Sequence, residues 1–126
     1  MSSNTAEIHK DALQKLALFD ENRPVFMMNY LKYKTIVSAT GKTGKETYAA
    51  YLEATIPFFK QIDADIILKV KPSEILIGDK NEALWDEVLI VKYANKNEFL
   101  KLIGMKDYPA ALRASALSDS KLIFCE

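Results

Sequence analysis

Two stretches of the chain are apolar on both of their faces. In 25–33 (VFMMNYLKY), Val25, Met27, Asn29, Leu31 and Tyr33 share one side, and Phe26, Met28 and Tyr30 share the other. In 85–93 (WDEVLIVKY), Trp85, Leu89, Val91 and Tyr93 alternate with Val88 and Ile90. A half-solvated strand would alternate apolar with polar, so both of these strands read as covered front and back. Helical spacing recurs elsewhere: Ile8, Ala12, Leu13, Leu16, Ala17 and Phe19 over 6–19, then Tyr48, Tyr51, Leu52, Ile56, Phe59 and Ile62 over 44–63. A third helical stretch begins at Asn95, breaks at Gly104 and restarts near Asp107 and Pro109. Residues 65–78 form a strand interrupted near Pro72 and Ser73, which suits an edge, and 121–125 close the chain as a last strand.

The predicted order after the first helix is βαββαβ, an α+β fold with a four-stranded antiparallel sheet. In that topology the first and third strands are central, and they are the two with apolar residues on both faces. Two helices cover only one face of such a sheet. A second copy of the chain is the economical cover for the other, so a homodimer is expected, with the N-terminal helix as the alternative cover. Residues 1–24 read as an amphipathic helix and linker, and 25–126 as the main domain. Asn4 or Thr5 is placed to cap the first helix, and Asn95 with Glu98 resembles a capping box. Pro57 should kink or split its helix. The loop 34–45 reads either as a flap over a pocket or as a solvated connection; its GKTGKET lacks phosphate-loop spacing.

Composition narrows the function. The 126 residues carry 17 Lys+Arg against 17 Asp+Glu, for a net charge of zero, and 49% are hydrophobic. Neutrality argues against nucleic acid and anionic membranes as partners, and no apolar run reaches the ~18 residues that span a bilayer. A single cysteine, Cys125, and no basic-then-apolar leader fit a cytoplasmic location. His9 is the one histidine and lies in the first helix, so zinc sites and a Ser-His-Asp triad are improbable, and neither metal nor cofactor is expected.

What remains is a set of polar and aromatic groups on apolar elements. Asn29 sits mid-strand, where its amide must find backbone partners or a ligand. Tyr48 and Tyr51 lie on the sheet-facing stripe of their helix, as core aromatics or as ligand contacts. Trp85 opens a central strand. Tyr108 and Arg113 lie on the last helix, where a guanidinium either clamps an anionic group or makes a surface ion pair.

NYLKYK at 29–34, GKETYAAY at 44–51, WDEVLIVKYANKNEFL at 85–100 and DYPAALRASALSDSKLI at 107–123 together resemble the dimeric α/β-barrel superfamily, which has a ferredoxin-like fold. Within it they resemble the uncharacterised domain-of-unknown-function family 1330. That resemblance implies a homodimer with two sheets face to face and a pocket between sheet and helices in each protomer. It implies company with cofactor-independent oxygenases, small isomerases and dehalogenases; the haem enzymes of the group need an axial histidine that this domain lacks. Asn29, Tyr51, Trp85, Tyr108 and Arg113 match the family's recurrent polar and aromatic positions. The first functional expectation is therefore an oxygenase or isomerase of a small apolar or aromatic anionic substrate. Asn29, Tyr51 and Arg113 would be catalytic, and Tyr48, Trp85 and Tyr108 would bind ligand. The second is a non-catalytic dimeric metabolite-binding or stress-related protein. RNA binding is set aside, because WDEVLIVKY lacks the aromatic-basic pattern such sheets need.

Overall fold

The computed structural model describes residues 7–126. Its elements run α1 (Lys10–Ala17), β1 (Val25–Tyr33), α2 (Gly44–Phe59), β2 (Ala64–Val70), β3 (Glu87–Tyr93), α3 (Lys96–Ile103), α4 (Ala110–Ala116) and β4 (Leu117–Cys125). The four strands form one antiparallel sheet in the order β2-β3-β1-β4. This is the ferredoxin-like α+β arrangement, with the two doubly apolar strands in the middle.

Strand parity sorts the side chains. Val25, Met27, Asn29 and Leu31 of β1 point inward and are buried, as are Leu89, Val91 and Tyr93 of β3. All the helices that pack on the sheet lie on this inner side. Leu16 of α1 joins Val25, Met27, Phe99 and Leu102 in one core cluster, while Tyr48, Tyr51, Leu31, Ala116 and Leu117 form a second. The leading helix therefore does not cover the outer face. Phe26, Met28, Tyr30, Val88 and Ile90 point there and belong to neither cluster. On the edge strand, Leu68 and Val70 pair with Ile90 and Val88 and are each 43% exposed.

Several boundaries differ from the sequence reading. Helix α1 starts at Lys10 rather than residue 6, and the caps assigned to Asn4 and Thr5 lie outside the described residues. Helix α2 ends at Phe59, short of 63: Pro57 lies in its last turn, supplies no N–H there and ends the helix two residues on. Strand β2 stops at Val70 instead of running to 78, because Pro72 cannot continue the ladder. Strand β3 begins at Glu87, so Trp85 and Asp86 precede it. Asp86 donates its N–H to Leu31 O (2.8 Å), and its Oδ2 accepts from Tyr33 N (2.7 Å), which fastens the end of β1. Strand β4 leaves α4 directly at Leu117, four residues before the expected 121, because β1 offers a partner along that whole length, with a register shift at Lys32/Tyr33.

Caps explain where the helices start. Thr43 and Glu46 form a full capping box on α2. Asn95 accepts from Asn97 N and Glu98 N at α3, but Glu98 turns away from the cap to accept from Asp63 N (2.8 Å). Asp107 does not cap α4: it takes a left-handed φ of 67°, and Pro109 holds the cap position.

Three elements meet at Gly44. Lys34 N donates to Ala116 O (2.9 Å) and Gly44 N to Lys34 O (2.8 Å), joining the end of β1, the start of α2 and the end of α4. A Cβ at position 44 would overlap Ala116 O and both backbone polar atoms of Lys34. Backbone cannot swing aside as a flexible side chain can. Gly44→Ala is expected to destabilise the fold by about 3 kcal/mol, measured by urea unfolding at constant m-value. The capping-box change Thr43→Ala should cost about 1 kcal/mol on the same scale.

Candidate functional site

A cavity of about 710 Å³ lies between the inner sheet face and the helices. Its walls come from α1 (Leu13, Leu16), α2 (Tyr48, Tyr51, Leu52, Thr55), the central strands (Met27, Asn29, Leu89, Tyr93) and α4 (Arg113). Most of this lining is apolar, and its polar groups converge where α4 crosses β1.

Asn29 is 7% exposed and sits between the two core clusters, with Met27 on one side of it along the inner face and Leu31 on the other. Its amide nitrogen donates to Met27 O (3.2 Å) and Leu89 O (3.5 Å). Those two carbonyls fix the amide's orientation, leaving Oδ1 to accept from Arg113 Nη2 (3.2 Å). Arg113 thereby has a neutral partner. The ion pairs among the described residues are Arg23–Glu126 and Lys69–Glu87, and neither involves it. The carboxylates, histidine and lysine of the lining, Glu7, His9, Asp65 and Lys121, are all exposed, whereas Arg113 is half-buried.

Around the guanidinium stands a tyrosine cluster. Tyr48 and Tyr51 sit one helical turn apart on α2, with ring centroids 5.3 Å apart, and Tyr51 meets Tyr108 edge-on at 6.2 Å. The Tyr51 and Tyr108 hydroxyls are hydrogen-bonded to each other. Burial pushes the Tyr48 hydroxyl up to about 12, with the Arg113 charge pulling the other way. Burial is also the main cause raising Tyr51, Tyr93 and Tyr108 above the ordinary tyrosine value. These phenols are hydrogen-bond donors at neutral pH, not bases.

Five of the six residues singled out in the sequence therefore line one cavity: Asn29, Tyr48, Tyr51, Tyr108 and Arg113. Trp85 does not join them. It precedes β3, outside strand parity, and packs edge-on against Tyr30 of the outer face (centroids 5.7 Å), with Lys121 Nζ 5.7 Å above its ring. Loop 34–45 also stays outside the lining; it folds on itself through Val37 N to Lys42 O (2.7 Å) and Gly41 N to Val37 O (2.8 Å). Sequence reasoning missed Tyr93, although its parity with Leu89 and Val91 points it inward. It also missed that α1 walls the cavity, which follows from packing alone. Among the described residues, no group of three His, Cys, Asp or Glu side chains is placed to hold a metal ion, and no helix is long and apolar enough to cross a membrane.

Fold and site together define a ferredoxin-like α+β protein with an aromatic-lined, half-open cavity and a guanidinium at its polar end. Among solved structures, the chain is similar to RPA0582, a protein of unknown function from Rhodopseudomonas palustris. The TM-score is 0.83 at 25% identity, over 98% of this chain and 96% of that one. A methylated form of the same protein matches at 0.82. The chain is also similar in fold to SnoaB, a cofactor-independent oxygenase from Streptomyces nogalater, with a TM-score of 0.52 at 14% identity over 82% of this chain and 92% of that one. No protein-family model and no curated protein matches the chain.

The hydroxyl pair gives a thermodynamic test. Tyr51→Phe or Tyr108→Phe alone strands a buried hydroxyl and should cost about 1–3 kcal/mol, while the double variant should cost less than the two singles added. A raised tyrosine pKa also fixes the sign of the alkaline response. The stability that neutral Tyr48 contributes is complete below its unfolded value near 10 and is lost as pH rises toward about 12. Phenolate absorbance from the cluster should therefore rise together with loss of far-ultraviolet ellipticity, not before it.

Proposed function

We propose that the chain is a small-molecule enzyme that works as a cytoplasmic homodimer, of the dimeric α/β-barrel type and akin to the domain-of-unknown-function family 1330. Its substrate is apolar or aromatic with one acidic group, and it is oxygenated or isomerised without a resident metal or cofactor. The observation that carries this reading is Arg113: a half-buried cation in an apolar cavity whose hydrogen-bonded partner is a neutral amide. A charge held there without a counter-ion favours an anionic ligand. SnoaB, described as a cofactor-independent oxygenase on the same fold, supports the reaction class.

Roles follow from the geometry. Asn29 spends its N–H groups on backbone carbonyls, so it orients Arg113, and the guanidinium supplies the donors that stabilise a developing oxyanion. Tyr48 and Tyr51 offer neutral hydroxyls to a carbonyl or phenol oxygen, and Tyr51 with Tyr108 can pass a proton along their shared bond. Trp85 lies too far round the sheet to touch the same ligand, and its place is at the dimer face. The alternative, a non-catalytic binding protein, draws on the cluster's tyrosines, which burial keeps protonated at neutral pH and so unavailable as bases.

Arg113→Met keeps the stem and removes the charge. Its affinity for 2-naphthoate, measured by calorimetry, should fall about 10–100-fold, the equivalent of one charge-assisted hydrogen bond. Affinity for uncharged 2-naphthalenemethanol should be unchanged. Equal losses for both probes would remove the anion site. Turnover is tested with activated phenols and 1,3-dicarbonyl compounds, following oxygen uptake and product mass. A copurifying compound returned unaltered in air, with no turnover of these panels, would favour the binding protein.

A further inference from the structure

The connection between β2 and β3 spans 71–86, far longer than the about 2–5 residues of a hairpin loop. Its first half, through Gly78, carries an apolar run, Ile75-Leu76-Ile77, with Leu76 92% and Ile77 96% exposed. Ile75 is half-buried, whereas Leu76 and Ile77, at a bend in the chain, gain almost no cover from their own protomer. Residues 73–78 make no backbone hydrogen bond among the described residues. Gly78, at φ 132°, then turns the chain back, a conformation that side chains rarely adopt, so the turn is specified by the sequence.

We propose that residues 71–78 form an arm that lies on a second copy of this chain and extends the sheet-to-sheet interface. The inference rests on the homodimer reading above and goes beyond it by assigning a segment that no sheet packing requires. The arm leaves directly from Val70, and Val70 with Leu68 already faces the open side, so the arm continues the same apolar surface. The strands are 9, 7, 7 and 9 residues long and turn alternate residues outward, so the face offers about 16, short of the about 20–30 a side that a stable interface uses, and the arm makes up part of the difference. Charge favours the same occupant. Within 71–78 Lys71 is balanced by Glu74, so the arm has no basic excess to hold it on an anionic lipid surface. The whole chain is neutral, so a second copy is not repelled.

The test compares full-length wild type, the arm variant Leu76→Ser/Ile77→Ser and the face variant Ile90→Lys, by sedimentation and by limited chymotrypsin digestion. Wild type should be a dimer at micromolar concentration. The arm variant should dissociate with a constant at least tenfold higher, and cleavage after Leu76 should slow at least tenfold as wild type is concentrated from monomer to dimer. A dimeric wild type whose dissociation constant is unaffected by the arm change, or whose cleavage rate is independent of concentration, overturns the arm and leaves the dimer standing. A wild type monomeric across the range overturns both. Because the proteolysis arm uses dilution of unmodified protein, it holds even if Ile90→Lys does not fold.

Discussion

A guanidinium hydrogen-bonded to an uncharged amide is the contact on which the layout of the cavity and its proposed chemistry depend. Arg113 reaches from α4 to Oδ1 of Asn29, in the middle of a central strand. An amide there would be costly if its hydrogens were unpaired. They are paired, to Met27 O and Leu89 O, so Asn29 has one free direction and the guanidinium occupies it. A carboxylate in place of Asn29 would neutralise the arginine and close the site to anions. The neutral partner holds Arg113 in place and leaves its charge uncompensated.

That contact also separates the core into two. Leu16, Val25, Met27 and Phe99 pack at one end and Leu31, Tyr48 and Leu117 at the other. Between them the helices stand off the sheet far enough to leave a cavity instead of a continuous core. Tight closure at Gly44, where the ends of β1 and α4 meet the start of α2, anchors one end of that opening. Helix α1 helps close the other through Leu16 and through Lys96, whose amine bonds Ala17 O. With every packed helix committed to the inner face, the apolar outer face has no helical cover among the described residues.

The sheet was legible because strand parity leaves a direct trace. Residues 25–33 and 88–93 are apolar on both faces over most of their length, and the βαββαβ order puts those two strands in the middle. Arg113, Asn29 and three tyrosines could be nominated because each is a polar or amphipathic group at a position whose neighbours are apolar. Trp85 misled for a specific reason: counting back by twos from Leu89 assumes that the strand extends to it, and Asp86 ends the regular ladder first by bonding to β1. The start of β4 was hidden because its first half is Ser118-Asp119-Ser120, polar and on an edge strand, where pairing is set by β1 and not by hydrophobic pattern. Helix α1 carried a readable apolar stripe, but nothing in a stripe says which face of a sheet it will meet.

The site's electrostatics restrict the chemistry further than its shape does. A proton-abstracting enzyme needs a base whose pKa lies near the working pH. The tyrosines here are raised by burial, Asn29 does not titrate, and the carboxylates and histidine of the lining are out at the exposed rim. On the proposed reading the substrate would supply its own acidity: a phenol, an enol or a carbon acid flanked by carbonyls, which loses its proton to solvent once the anion is stabilised. One buried cation close to a developing oxyanion can lower such a pKa by 1–3 units, enough to bring an activated phenol or dicarbonyl into the neutral range. The same arrangement would gain little for an unactivated hydrocarbon, whose acidity lies far beyond what one charge can offset. On that reading Arg113 would select for substrates that are nearly acidic enough already, and the apolar walls would select among those by shape.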